Sequence, residues 1–515
     1  MNISNLEIDI GRNKTIAYLV FLIIGGFIIR YIFTPFEIPL VLDSLQYFWY
    51  GIELNILQEF PSNYDLTNNM WPTFLSPFFF ILDSQNYLDY MNLQRNISII
   101  FSVMSSIPIY FLAKKFLPST IALIAPIMLI FEPRIILNST SGITEPIFLF
   151  FIISSFTLFF NKNKKYVLSS FVLIGLACLS RYEALVIVFP MIIILFFRLK
   201  NEKYRITYPI LAIFIFLIVI TPMSIIKIET MGYDGIFSHV IAGANVAVRD
   251  SITTEPETQR FFLDIGIWNF LKLFVWTTFP TYIIFFPLGA FVFFKNKNRE
   301  NIELIFLGII SLIPALYAAS RGIEETRYYF VFYPIFIIFS LYFIEWIRNR
   351  WKIKYIKLAC VVFIIITSVI FIILKDDRDY ESEAFQVVKE NFSDIRAVND
   401  LHPYSPYFRA MPLHLSENFP IERNKLIENT VILQVNDFDS IYELFESDEG
   451  KRITHLIIDD SPSRVDFLKN LFKNEMKYPF LEKTYDSTEQ GLEHHVKIFR
   501  FDSAKFINLH SDEDR

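Results

Sequence analysis

Long apolar runs separated by short polar segments fill most of the first 375 residues. Many of the runs have roughly 17–25 residues, and about 20 apolar residues in a helix cross the ~30 Å hydrocarbon core of a bilayer. Buried helices of soluble proteins usually keep a polar face at the helical period. The pattern therefore predicts about eleven transmembrane helices, at 16–33, 97–113, 119–135, 145–160, 166–180, 184–198, 206–226, 268–293, 302–320, 328–346 and 358–374.

A different pattern follows in residues 376–515, where helical and strand-like periods alternate. Helices are predicted at 381–392, 439–447 and 463–478, strands at 430–435 and 454–458, and an edge strand at 495–501. Such alternation favours a small α/β domain. The strands are not followed by a glycine-rich phosphate loop, which argues against nucleotide binding. The predicted fold is thus a mainly α membrane domain, 1–375, followed by a soluble α/β domain, 376–515.

Composition supports this division. The chain of 515 residues is 53% hydrophobic and 19% charged, whereas soluble proteins are about 25% charged. Residues 376–515 carry 17 Lys and Arg against 29 Asp and Glu, and residues 1–375 carry 30 against 24. The basic residues are spread over short loops, so nothing indicates nucleic-acid binding. Both cysteines lie in apolar runs and predict neither a disulfide framework nor a thiolate metal site.

Loop charge predicts the orientation, because Lys and Arg are retained on the cytoplasmic side. One set of alternate loops holds 19 basic residues, and the opposite set about ten. The N-terminus is therefore predicted to be cytoplasmic, while two long loops, 34–96 and 227–267, and the C-terminal domain face the exterior. The Ile, Asn and Lys bias suits a prokaryotic plasma membrane, including an archaeal one.

Ionisable residues recur at the predicted exterior ends of the spans, in four separate segments. Charged groups at membrane depth are costly and suggest function. Structural explanations stand beside the functional one: an ion pair or a surface turn, an acid that complements a helix dipole, an interfacial anchor, or, for Asp43, a helix cap. The candidates are Asp43, Glu132, Arg134, Glu145, Arg181, Glu183, Arg327 and Tyr328.

These residue types fit the inverting transfer of a sugar from a lipid phosphate. A carboxylate is needed to take the proton of the acceptor, and cations are needed to stabilise the departing phosphate. Asp43 is the candidate base. Arg181 or Arg327 is the candidate phosphate ligand, because arginine stays charged and binds phosphate oxygens in pairs.

Several short motifs resemble the GT-C superfamily of glycosyltransferases, in the branch of dolichyl-phosphate-mannose–protein mannosyltransferases and lipid A aminoarabinose transferases. The resemblance covers roughly residues 15–345. It rests on the order of the motifs: Asp43 followed by YF at 47–48, WPTFLS at 71–76, TEP at 144–146, SRYE at 180–183, RYY at 327–329 and YP at 333–334.

The resemblance implies a polyprenyl-phosphate-linked sugar donor, an exterior active site, inversion at the anomeric carbon, and Asp43 as the catalytic acid of the first loop. It also implies binding of the donor by Arg181, Glu183, Arg327, Tyr328 and Glu145. Two departures are visible. Ser44 stands where many relatives have a second acid, and the tail lacks the Trp-Trp-Asp signature of oligosaccharyltransferase catalytic subunits.

Some questions stay open at this point. The motifs do not settle whether a cofactor is needed: Mg²⁺ or Mn²⁺ could bind Asp43, Glu132 and Glu145. The acceptor could be a protein, a lipid or a glycan. The alternatives to an enzyme are a transporter or flippase for a lipid-linked substrate, and an inactive scaffold whose tail binds a protein partner.

Overall fold

The computed structural model describes residues 11–62, 64, 66, 68–82, 84, 86–252, 266–295, 298–351, 355–375, 382–383, 386–387, 397–398, 438–448, 450–462 and 464–513. The chain forms two compact units. The first consists of residues 1–34, 50–81 and 92–375. The second consists of residues 35–49, 82–91 and 376–515.

Helices make up the first unit, and two of them, Leu42–Leu57 and Tyr87–Met104, continue into it from segments of the second. The others are Arg12–Ile32, Met70–Ile81, Ser106–Phe116, Ser119–Ala122, Ile124–Ile130, Pro133–Thr140, Glu145–Phe159, Lys164–Ser180, Leu185–Arg198, Thr207–Met231, Phe237–Ile252, Gly266–Thr278, Phe285–Lys295, Arg299–Ser311, Ile313–Ser320, Tyr333–Trp351 and Ile356–Leu374, with 3₁₀ turns at Tyr182–Ala184 and Thr326–Phe332.

Six helical segments of the described chain are long and apolar enough to cross a membrane. A seventh candidate is a pair bent by 48°, Ser119–Ile130 with Pro133–Thr140. This confirms a mainly helical, multi-pass membrane protein. The six are Arg12–Ile32, Tyr87–Phe116, Thr207–Met231, Arg299–Ser320, Thr326–Trp351 and Ile356–Leu374.

The remaining predicted spans correspond to shorter helices. Glu145–Phe159 has 15 residues, which at 1.5 Å per residue is shorter than the hydrocarbon core. The predicted span 268–293 is two helices, Gly266–Thr278 and Phe285–Lys295. Pro280 lies between them, and proline has no N–H to continue a helix. Apolar composition alone did not reveal this break.

Close helix packing in the first unit depends on Gly289, in helix Phe285–Lys295. A Cβ atom at this position would overlap the carbonyl of Phe339, in helix Tyr333–Trp351. Small residues let membrane helices approach at their backbones. A backbone carbonyl cannot move aside as a side chain can, so this position admits only glycine without a shift of one helix.

Gly289→Ala should therefore destabilise the protein by about 1–3 kcal/mol, the usual cost of overpacking a close contact. The measurement is the apparent melting temperature of the full chain in detergent. Gly25→Ala is the matched control, because a Cβ atom at Gly25 meets nothing within 4 Å. Equal melting temperatures for the two variants would contradict the proposed helix contact.

The second unit contains a four-stranded sheet in the order β1-β2-β4-β3. Strands β1 and β2 are parallel, and β4 pairs antiparallel with both β2 and β3. The helices on this part of the chain include the amphipathic Asp466–Lys473, whose Leu468, Leu471 and Phe472 are buried. The strands are β1 Ala397–Val398, β2 His455–Asp459, β3 Leu481–Asp486 and β4 Val496–Phe501, and the other helices are Ile441–Glu446 and Ser503–Glu513.

Two predictions for this unit were wrong in detail. The strand predicted at 495–501 as an edge strand is β4, which lies inside the sheet, and its partner β3 was not predicted. Strand β3 was missed because it reads polar, with the exposed residues 482–484 in its middle. The predicted strand 430–435 lies outside the described residues, as does most of the predicted helix 381–392.

Asp486, at the end of β3, accepts hydrogen bonds from two side chains, Thr488 Oγ1 at 2.6 Å and Lys483 Nζ at 3.3 Å. His495 Nε2 lies 3.0 Å from Asp486 Oδ1. Burial alone would raise the pKa of this carboxyl group. The hydrogen bonds outweigh burial and lower the pKa to about 2.

Because its pKa is lowered, the ionised Asp486 carboxylate stabilises this sheet above pH 3.8, the ordinary pKa of Asp. The stabilisation is lost as the pH falls towards 2 and the carboxylate is protonated. Asp486→Asn should therefore destabilise the sheet by about 2 kcal/mol at pH 7. It should also reduce the change in the stability of the sheet between pH 4 and pH 2. Hydrogen exchange of strands β3 and β4 in the full chain measures this. Asp466→Asn is the control, because that carboxylate is fully exposed. Unchanged exchange in Asp486→Asn would contradict the assignment.

Candidate functional site

Four of the predicted site residues meet in the first unit. Arg181 Nη1 is hydrogen-bonded to Glu145 Oε1. Arg181 Nε and Nη2 lie 3.1 and 2.6 Å from Glu183 Oε1, and Arg327 Nη1 lies 3.5 Å from Glu145 Oε1. We call Glu145, Arg181, Glu183 and Arg327 the arginine–glutamate cluster. Tyr328 adjoins it, with its ring centroid 5.3 Å from the Arg181 guanidinium carbon.

Local structure explains why Glu145 and Arg181 meet. Glu145 begins helix Glu145–Phe159, with Pro146 in the first turn, where a proline without an N–H is tolerated. Arg181 follows helix Lys164–Ser180 in an extended conformation, φ −151° and ψ 122°. A hydrogen bond of 3.3 Å from Thr144 Oγ1 to the Ser180 carbonyl joins the two chain segments. The residues before Glu145 and Arg181 are thus tied together.

The turn that precedes Glu145 is also held in place from outside. Gly142 has φ +73°, a conformation that favours glycine. Its carbonyl accepts hydrogen bonds from Trp71 Nε1 at 3.1 Å and Gln94 Nε2 at 2.8 Å, and Ser98 Oγ donates to the Ile143 carbonyl at 3.3 Å. Trp71 begins the WPTFLS motif, so that motif positions the turn that carries Glu145.

Charge is balanced in the cluster, but not every carboxylate oxygen has a hydrogen-bond partner. Two glutamates face two arginines, and Glu145 is 1% exposed. Glu145 Oε2 and Glu183 Oε2 are buried and accept no hydrogen bond from any described residue. Because buried polar atoms usually have partners, these two oxygens are suited to accept hydrogen bonds from ligand hydroxyls. The Arg327 side chain is 24% exposed and is the more accessible of the two cations.

Several polar residues of this unit were not among the predicted site residues. Asn68 Oδ1 accepts a hydrogen bond of 3.1 Å from the Tyr182 amide, and the His239 ring lies 4.2 Å from the Tyr182 ring. Lys227 is buried and donates to the Leu66 carbonyl. Lys227 could have been found as a single cation inside an apolar run. Nothing local in the sequence marks Asn68, and His239 was indicated only by its place in the long loop 227–267.

Glu132 and Arg134 form a separate polar group at the bend of the helix pair. Glu132 Oε1 lies 3.4 Å from Arg134 Nη1 and 3.2 Å from the Tyr333 hydroxyl. Arg134 Nη2 also donates to the Trp276 carbonyl at 2.7 Å. This arrangement satisfies the backbone around the helix breaks. Glu132 Oε2 is buried and accepts no hydrogen bond from any described residue, and the structural interpretation of these two residues stays a prediction.

Metal ligands do not gather in the part of the chain that the structure describes. No group of three or more His, Cys, Asp or Glu residues there is placed to hold an ion. In the cluster, the glutamate oxygens that have partners are bonded to guanidinium groups rather than turned towards one another. The metal set Asp43, Glu132 and Glu145 stays a sequence prediction.

Asp43 belongs to the second unit. It lies in the first turn of helix Leu42–Leu57 and is half-buried. Leu42, directly before it, has φ +49°, which is unusual for a bulky residue. Strained backbone of this kind is concentrated at functional sites. The observation is consistent with a constrained position for Asp43.

The sequence and the fold were compared with known proteins. Residues 90–226 match the family model described as dolichyl-phosphate-mannose-protein mannosyltransferase. This is about a quarter of the chain. We found no significant match to this sequence among curated proteins.

Solved structures show the same fold at low sequence identity. The Archaeoglobus fulgidus oligosaccharyltransferase with Zn and sulfate aligns with a TM-score of 0.55 at 12% identity, over 86% of this chain and 68% of that protein. The archaeal oligosaccharyltransferase AglB from Archaeoglobus fulgidus, in complex with an inhibitory peptide and a dolichol-phosphate, aligns with a TM-score of 0.53 at 11% identity, over 86% of this chain and 69% of that protein. ArnT from Cupriavidus metallidurans bound to undecaprenyl phosphate aligns at 0.53 and 8%, over 95% and 98%.

Both proteins are GT-C superfamily glycosyltransferases. Their alignments extend over more than four fifths of this chain, from the membrane helices into the second unit. The predicted resemblance is confirmed at the level of the fold: this chain has the fold of the GT-C membrane glycosyltransferases.

Proposed function

We propose that this protein is an integral-membrane, inverting glycosyltransferase. It would move a hexose from a polyprenyl-phosphate donor to an exterior acceptor, which is a protein, a lipid or a glycan. Two observations from the comparisons support the choice of donor. AglB has been solved with dolichol-phosphate, and ArnT with undecaprenyl phosphate.

The arginine–glutamate cluster is the observation that carries the proposal. Arg327 is the more accessible cation, and a guanidinium binds phosphate oxygens in pairs. Arg181 is held by two carboxylates and therefore adds fixed positive charge rather than a freely moving ligand. Glu145 Oε2 and Glu183 Oε2, which accept no hydrogen bond from the described residues, would accept hydrogen bonds from sugar hydroxyls. The Tyr328 ring would hold the Arg181 guanidinium in place.

Asp43 would act as the general base. The acceptor oxygen attacks the anomeric carbon on the face opposite the phosphate, and the bond from that carbon to the phosphate oxygen breaks. The acceptor proton passes to Asp43, the configuration inverts, and polyprenyl phosphate leaves as the product. The two arginines stabilise the negative charge that develops on the leaving phosphate. A divalent metal, if one binds, would supply the same stabilisation.

The proposed orientation places this reaction outside the cell. Basic loops put the N-terminus in the cytoplasm. Glu145 begins a helix, and Arg181 follows the end of its neighbour, at the membrane face opposite the basic loops of 162–165 and 198–205. Long prenyl chains could then stay in the bilayer while the head group reacts.

The test is donor turnover by the purified full chain in detergent. Labelled undecaprenyl- and dolichyl-phosphate hexoses are supplied with a membrane fraction as the source of acceptor. We expect release of polyprenyl phosphate together with labelled product of inverted anomeric configuration. Specific donor binding without release from any donor would contradict the proposal and favour a transporter or a scaffold. A product of retained configuration would contradict the inverting mechanism.

A further inference from the structure

A polar cavity lies in the first unit, at the opposite end of the helices that hold the arginine–glutamate cluster. Helix Glu145–Phe159 begins in the cluster, and Phe160 after its end lines the cavity. Helix Lys164–Ser180 begins at the cavity and ends next to Arg181. The cavity has a volume of about 280 Å³, enough for a polar head group and separate from the proposed reaction site.

Cations exceed acids around this cavity. Its charged lining consists of four basic residues, Lys162, Lys164, Arg198 and Arg299, and three acidic ones, Glu202, Glu300 and Glu303. Most of the acidic charge is already neutralised. Glu303 Oε2 lies 2.9 and 2.5 Å from Arg198 Nε and Nη2, and Glu303 Oε1 lies 2.9 Å from Arg299 Nε. Lys164 is paired with Glu202. Glu300 is exposed, and the lining keeps one net positive charge, which favours an anion over a cation.

Two of the cations are available to a ligand. Lys162 is exposed, and no described acid lies within ion-pair distance of it. Arg299 is 55% exposed and uses only Nε in its pair with Glu303, so its two terminal nitrogens can bind an oxyanion. Arg198 is bound differently. Its Nη1 donates to the Phe159 carbonyl at 2.6 Å, and it fixes the wall of the cavity.

Apolar side chains complete the lining. Val167, Leu168, Leu195 and Leu199 lie beside the charged residues, together with the ring of Tyr208. The Lys164 ammonium lies 5.0 Å from the centre of that ring. A free anion would gain nothing from this apolar surface. A molecule with an anionic head and an apolar chain would use both parts of the lining.

We propose that this cavity binds the phosphate-bearing head group of an anionic phospholipid. The proposal is independent of the proposed transfer reaction. Basic pockets between transmembrane helices on the cytoplasmic side recognise anionic lipid head groups. Loop charge predicts that this end of the helices faces the cytoplasm, where the leaflet surface is negative.

The test compares lipid retention by the full chain in neutral detergent, measured by native mass spectrometry. Phosphatidylglycerol and phosphatidylcholine are the two lipids. We expect the wild type to retain phosphatidylglycerol selectively, and Lys162→Gln with Arg299→Gln to bind it about fivefold more weakly for each charge removed. Lys114→Gln with Lys115→Gln is the matched control, because these exposed lysines do not line the cavity.

Three results would overturn the proposal. The first is equal retention of the two lipids by the wild type. The second is undiminished retention of phosphatidylglycerol by the Lys162 and Arg299 double variant. The third is binding of inorganic phosphate that needs Lys162 and Arg299 but is accompanied by no retention of phosphatidylglycerol, which would assign the cavity to a free phosphate.

Discussion

Asp43→Asn should abolish sugar transfer while leaving donor binding intact. The amide is nearly the same size as the carboxylate but cannot take the acceptor proton. General base catalysis contributes roughly 10²–10⁴-fold to rate, so we expect kcat to fall by about that factor. The affinity for the donor phosphate should change little, because the proposed phosphate ligands are arginines. The measurements are the release of polyprenyl phosphate and the equilibrium binding of labelled donor by the same preparation.

Asp89→Asn is a suitable control for this substitution. Asp89 belongs to the same first loop of the sequence and to the same compact unit as Asp43. Its carboxylate accepts a hydrogen bond of 2.5 Å from Ser84 at an exposed position. The control should keep full activity. A donor-using enzyme in which Asp43→Asn turns over normally would refute Asp43 as the base without refuting the glycosyltransferase proposal.

The cluster was predictable from the sequence because each of its residues ends or begins an apolar run. Glu145, Arg181 and Arg327 had to lie near a membrane surface once the spans were recognised, and loop alternation placed all three on one face. Short motifs then gave their order. The pairing itself was not predictable, because it depends on how helices Glu145–Phe159 and Lys164–Ser180 pack. Glu183 meets Arg181 only through the 3₁₀ turn at Tyr182–Ala184.

Other features of the structure could not be predicted from the local sequence. Hydropathy does not reveal that Gly289 contacts the Phe339 carbonyl, since the contact joins helices distant in sequence. The same holds for the hydrogen bonds from Trp71 and Gln94 to the Gly142 carbonyl. The cavity lined by Lys162 and Arg299 was not predicted for another reason. Its basic residues were read as an orientation signal, and loop charge alone does not show that they surround a space.

The two arginines of the cluster should respond differently to substitution, because their surroundings differ. Arg181 lies between two buried glutamates. Arg181→Met leaves both carboxylates buried without this cation, and breaking a buried ion pair from one side costs about 3–5 kcal/mol. We expect a large fall in the apparent melting temperature of the full chain, together with loss of transfer. Arg327→Met removes a more exposed group, whose ion pairs to Glu145 Oε1 at 3.5 Å and Glu325 Oε2 at 3.9 Å are long.

Arg327→Met should therefore fold almost as well as the wild type and still lose most of its kcat/KM, since the phosphate would lose its accessible cation. A triple variant separates stability from function for Arg181. Adding Glu145→Gln and Glu183→Gln to Arg181→Met removes the uncompensated charges and should restore much of the melting temperature. It should not restore transfer, because the fixed cation and the sugar-binding carboxylates are gone. If the triple variant has as low a melting temperature as Arg181→Met alone, the ion pairs are not what stabilises this region. If Arg327→Met retains the full kcat/KM of the wild type, Arg327 does not bind the donor phosphate.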